Sequence, residues 1–230
     1  MELYSWLIEN KELLKTIYAL VVLAICIIIV IKTDRLFRVS SHQGIRYFRN
    51  AFFFYGIAFV IRHFFGGINL TDHSVIYLLV VKSLFEFFMI MAGFFLLYSL
   101  IWKRFERARK SPDSSLFNLK LGVFYIMVIL LVILDIIWAS FIFMFISQIL
   151  LFFYALLISF KNYQKDKGVH KFLKFYFVAM IFSLIGWTLN ALAALYLNWN
   201  RGILINIYLI NIAIFLLFLY GVIQVTRKNI

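Results

Sequence analysis

The chain has one proline and one cysteine in 230 residues, and ten acidic side chains against 23 basic ones. A lone cysteine, Cys26, permits neither an intrachain disulfide nor a cysteine metal site. The lone proline, Pro112, sits in a polar stretch at 111–115, so no apolar segment carries a helix breaker. Charged residues make up 14% of the chain, well below the roughly 25% of a soluble domain. The last apolar segment has no lysine before Lys228, which excludes a retinal Schiff base there. His42, His73 and His170 lie in polar connections, leaving His63 alone in an apolar segment. Haem held by two facing histidines is therefore excluded. No zinc-ligand spacing, phosphate-cradling glycine loop or nucleophile elbow is present. Catalytic residues, metals and cofactors are accordingly not expected, and the chain reads as a non-enzyme.

What the chain has in excess is apolar side chains, at 65% hydrophobic and 20% aromatic. A soluble domain is about half apolar and has no core large enough to hide this surplus, so lipid must be its solvent. Seven apolar segments stand out, at about 14–32, 47–67, 75–101, 117–137, 140–160, 172–197 and 203–225. An α-helix rising 1.5 Å per residue needs roughly 20 residues to cross about 30 Å of hydrocarbon. None of the segments alternates in polarity over ten-residue units, as a membrane β-strand would. The expected architecture is an all-α integral membrane protein, a single domain over 1–230 with seven transmembrane helices. Residues 1–12, with Leu3, Trp6 and Leu7 at helical spacing, read as a short interfacial helix. No cleaved leader is expected, because no early apolar run ends in a small-residue cleavage site.

A net charge of +13 would suit nucleic acid in a soluble protein. Here the basic residues cluster in loops between apolar segments, Lys32–Arg49 among them, which is the pattern of topology-setting flanks and not of a nucleic-acid face. Lys11, Lys15, Arg62, Lys82 and Arg201 fall on one side of a seven-crossing layout, leaving 18 of the 23 on the other. That asymmetry puts the N-terminus outside and the C-terminus in the cytoplasm of a multi-pass cell-membrane protein. The basic inner loops offer contacts to anionic head groups and a docking surface for a cytoplasmic protein partner. Asn69-Leu-Thr71 matches a glycosylation acceptor on the outer side, although it lies very near the bilayer.

Residues 44–53 resemble residues 168–177: each begins with glycine where a basic loop enters an apolar helix. At this 124-residue spacing Phe48 matches Phe172, Phe53 matches Phe177 and Ile57 matches Ile181. Segments one to three would then repeat as five to seven, with segment four as a linker, giving a 3+1+3 parallel repeat. Convergence of two aromatic-rich helices stands beside this reading. The layout resembles that of the SWEET and PQ-loop transporters, and also the seven-helix sensor regions that precede histidine kinases. The chain contains no Pro-Gln dipeptide and no diagnostic motif of either group.

The candidate site comes from ionisable and amide groups at membrane depth, which cost a few kcal/mol each unless paired or used. Arg62 and His63 end the second segment, Lys82 and Glu86 lie in the third, and Asp135 ends the fourth. Lys82 and Glu86 are four residues apart, on one helix face. Trp187 and Asn190 add polar groups from segment six, and Asn206 and Asn211 from segment seven. Two readings of this set remain open. In one, it lines an outward-facing polar cavity that binds or transports a small molecule or ion, Arg62 or Lys82 holding an anion and Glu86 a cation or proton. In the other, Lys82–Glu86 and Arg62–Asp135 neutralise each other and lock the bundle, and the asparagines bond between helices. Functionally, the first reading competes with a membrane sensor or receptor subunit signalling to a cytoplasmic partner.

Overall fold

The computed structural model describes residues 11–66, 75–106, 119–165, 171–196 and 201–228. Within these the chain is helical: α1 (Lys11–Ser40), α2 (Gln43–Val60), α3 (Val75–Glu106), α4 (Leu119–Ile137), α5 (Ile142–Lys165), α6 (Lys171–Leu195) and α7 (Arg201–Lys228). Five of them, α1, α3, α5, α6 and α7, are long and apolar enough to cross a membrane. The apolar part of α4 is shorter, Leu121–Ile137. The 18 residues of α2 are extended by a π-helical turn, Ile61–Phe65, closed by the Gly66 amide donating to the Ile61 carbonyl at 3.1 Å. Most of the expected interfacial helix, the Asn69 acceptor, the Pro112 turn and the connection at 197–200 lie outside the described residues.

One boundary differs from the sequence expectation. The stretch 32–49, expected as a basic loop, is helical except at Ser41 and His42. Its charges are spaced for a helix: Arg38 pairs with Asp34 one turn earlier at 3.0 Å, and Arg49 of α2 reaches the same carboxylate. Opposite charges four residues apart support a helix beyond the bilayer as well as within it. The chain turns at Ser41, which adopts a left-handed φ of 51° while its amide donates to the Phe37 carbonyl at 2.8 Å. His42 is then extended, and α2 begins.

The helices pack as a ring. α1 lies against α2, α2 against α3, α3 against α5, α5 against α6, α6 against α7, and α7 returns to α1. α4 stands outside this ring, against α3 and α5. The α3–α5 contact is close because Gly93 faces the buried Gln148, whose Oε1 would lie 2.7 Å from a Cβ at that glycine. Large apolar side chains also cover the outside: Leu20 and Ile27 on α1, Ile126 and Leu130 on α4, and Leu150 and Phe153 on α5 are all exposed. A soluble monomer rarely exposes contiguous apolar surface beyond a few hundred Å². An apolar bundle that also turns apolar residues outward is a membrane protein.

Aromatic side chains fill one end of the ring. Phe48 and Phe52 of α2 pack at 4.9 Å, and Phe218 of α7 lies 5.2 Å from Phe52. Tyr176 of α6 closes the layer 5.9 Å from Phe48, with its hydroxyl 3.3 Å from that of Ser99.

Candidate functional site

A cavity of about 100 Å³ lies inside the ring. Every ring helix contributes to its wall and α4 does not. A water needs roughly 10–15 Å³ on this measure, so the space holds several waters or one small molecule. Phe52 and Phe218, from the aromatic layer, form its floor, and the Arg62 end reaches the surface, where that side chain is exposed.

The π-helical turn positions the polar mouth. An α-helical register advances about 100° per residue, and a π-turn is a local insertion that rotates the residues beyond it. Here it carries Arg62 and His63 into the wall beside Phe59. The guanidinium lies over the Phe85 ring, 4.8 Å from its centroid, a cation–π contact from α2 to α3. The His63 ring stacks on Phe59 at 5.9 Å and meets Tyr18 edge-on at 6.0 Å. Tyr18 of α1 stacks in turn on Tyr208 of α7, at 4.2 Å and nearly parallel.

The polar wall opposite comes from α6 and α7. Asn190 donates from Nδ2 to the Gly186 carbonyl at 2.7 Å and to Oδ1 of Asn211 at 3.4 Å. Trp187 lies in the wall one turn above Ser183. Ser183 is 3% exposed, and its hydroxyl has no hydrogen-bond partner among the described residues. No carboxylate is found among the described residues lining the cavity.

Five of the nine residues singled out by sequence therefore meet at this cavity: Arg62, His63, Trp187, Asn190 and Asn211. Asn206 is exposed and lies outside the lining. Lys82, Glu86 and Asp135 are brought together elsewhere, where α3 meets the α4–α5 turn. On α3, Phe85 and Met89 face the cavity. Glu86, about 100° further round the helix, is fully buried without lining it. Lys82 Nζ lies 3.7 Å from Glu86 Oε1, donates to the Ser140 carbonyl at 2.9 Å and sits 4.3 Å from the Phe141 ring centroid. Neither Glu86 oxygen has a hydrogen-bond partner among the described residues.

Asp135 ends α4 but serves α5. Its Oδ1 accepts from the Phe143 amide at 2.9 Å and its Oδ2 from the Met144 amide at 2.8 Å. These are first-turn donors that a helix cannot satisfy by itself. The Arg62–Asp135 pairing considered from sequence is replaced by this cap on one side and the Phe85 contact on the other.

Sequence reasoning missed Tyr18, Tyr208 and Ser183, because hydroxyls are common in apolar segments and carry no charge to mark them out. A search for hydroxyls one or two turns from Arg62 and Asn190 along their helices would have found Ser183. Tyr18 and Tyr208 needed the packing of α1 on α7.

No family model matches the chain, and no curated protein or solved structure matches it either.

Proposed function

We propose that this is a multi-pass cell-membrane protein that binds a small solute in the cavity inside its helix ring and carries it across the bilayer. It crosses seven times, with the N-terminus outside and the C-terminus in the cytoplasm, so the Arg62 mouth opens outward. The observation that carries the reading is a cavity walled by six helices, polar at its mouth and closed by aromatic side chains at its floor.

The 3+1+3 repeat belongs to this proposal. A shift of one to five, two to six and three to seven turns each ring contact into another: α1–α2 into α5–α6, α2–α3 into α6–α7, α3–α5 into α7–α1. At the 124-residue spacing Phe59 matches Ser183 and His63 matches Trp187, and all four line the cavity. Parallel repeats of this kind in transporters hold substrate between the halves. The Lys82–Glu86 pair supplies a charge switch behind the wall. The lysine is shared between Glu86 and the Ser140 carbonyl, so neutralising the carboxylate changes what ties α3 to the α4–α5 turn.

Reconstitution tests this. Proteoliposomes should take up at least one solute from a panel of small carboxylates, amino acids and sugars, saturably and dependent on a proton gradient. Glu86→Gln should abolish the dependence on the gradient. No uptake across the panel, together with solute-dependent capture of a cytoplasmic protein, would replace the carrier with the sensor reading. A maleimide-reactive cysteine placed at the exposed Arg227 position should label only from the cytoplasmic side of intact cells, and labelling from outside would reverse the orientation.

A further inference from the structure

We infer that the solute is a small organic monoanion, a carboxylate on a compact apolar body, with its charge at Arg62. The inference rests on the binding role proposed above and adds the chemical class.

Charge decides the first part. Arg62 is the fixed cation of the wall, and no carboxylate lies among the described lining residues. An organic cation entering here would meet a like charge with nothing to offset it. Arg62 has no ion pair among the described residues. Its guanidinium face rests on Phe85, which leaves the edge of the fork for a ligand. That planar fork of donors matches a carboxylate in two parallel hydrogen bonds. A dianion would bring a second charge into the wall with no second fixed cation to meet it, and burying an unpaired charge is strongly unfavourable.

The walls decide the second part. Below Arg62 the lining is mostly rings, among them Phe59, Phe85, Phe215 and Trp187. Besides Arg62 and His63 at the mouth, the lining's polar groups include the Tyr18, Tyr55 and Tyr208 hydroxyls, the Asn190–Asn211 amides and the unpartnered, buried Ser183 hydroxyl. Volume decides the third. An engineered cavity of about 150 Å³ holds benzene. About 100 Å³ therefore suits a body smaller than a benzene ring, with the carboxylate at the mouth.

The test uses the full chain in lipid nanodiscs and three probes of one shape: butyrate, butyramide and butylammonium. Calorimetric titration should show saturable butyrate binding at least about tenfold tighter than butyramide, the ratio expected for one charge-assisted contact. Butylammonium should not bind. Arg62→Gln should erase the preference for butyrate over butyramide. Arg62→Lys, which keeps the charge and loses the fork, should keep part of it. Both variants should still fold, Arg62→Gln losing only the exposed contact to Phe85. Equal binding of butyrate and butyramide, tighter binding of butylammonium, or a preference that survives Arg62→Gln would each overturn the inference and leave the binding cavity standing. Failure of all three probes to bind the wild-type protein would overturn the inference and the binding role together.

Discussion

Asp135 offers the sharpest separation between a ligand-holding residue and a helix cap. Its carboxylate is fully buried and accepts from two backbone amides at 2.9 and 2.8 Å and from the Ser140 hydroxyl at 3.3 Å. Asp135→Ala leaves the Phe143 and Met144 amides without that acceptor, at the start of a helix that lies against α3, α4 and α6. N-cap losses run at about 0.5–2 kcal/mol, and hydrogen bonds to charged groups at about 1.5–3 kcal/mol each. The two amide bonds are not independent, so the expected loss is about 2–4 kcal/mol. Asp135→Asn retains one acceptor oxygen and turns a donor toward the other amide, so it should lose about half as much. Titration with a denaturing detergent, monitored by far-UV circular dichroism, measures both. The cap reasoning is refuted if Asp135→Ala unfolds within about 0.5 kcal/mol of wild type. If Asp135→Asn instead removes solute binding at unchanged stability, Asp135 is a ligand residue and the cap is incidental.

Two further predictions concern the same corner of the bundle. Lys82→Met should destabilise the fold, because it leaves Glu86 buried without a cation, and breaking a buried pair costs about 3–5 kcal/mol. Lys82 is partly exposed, which puts the value at or below the lower end of that range. Adding Glu86→Gln to Lys82→Met should restore most of the loss, and a double-mutant cycle without coupling would dismiss the pair. Ala139 holds a left-handed φ of 49°, where the Ser140 amide donates to the Asp135 carbonyl at 3.0 Å and the Ala139 amide to the Ile136 carbonyl at 3.1 Å. Ala139→Gly should raise stability by up to about 1 kcal/mol, since glycine has no Cβ to strain in that conformation. A lower unfolding midpoint would contradict this.

The apolar spans are a one-dimensional property, so the helices Val75–Glu106 and Lys171–Leu195 could be located by counting. The helix continuing through 33–40 was hidden because charge was read as loop. The four-residue spacing of Asp34 and Arg38 carried the opposite information. Arg62 and Asn190 stand out in the sequence through the cost of polar groups at depth, and both line the cavity. Glu86 stands out through the same cost, yet lies behind the wall. Depth along a helix can be counted from sequence, but azimuth cannot.

Composition and spacing by themselves determined a helical membrane protein, the approximate position of each apolar helix and the short set of polar groups at depth. These depend on length, transfer energy and period, which are local. Tertiary structure alone decided that α4 stands outside the ring, that the cavity takes Phe85 and Met89 of α3 and passes over Glu86, and that Asp135 serves the next helix. Those outcomes depend on which face of each helix meets which neighbour. Lipid offers an apolar helix no preferred face, so side-chain fit between helices makes that choice.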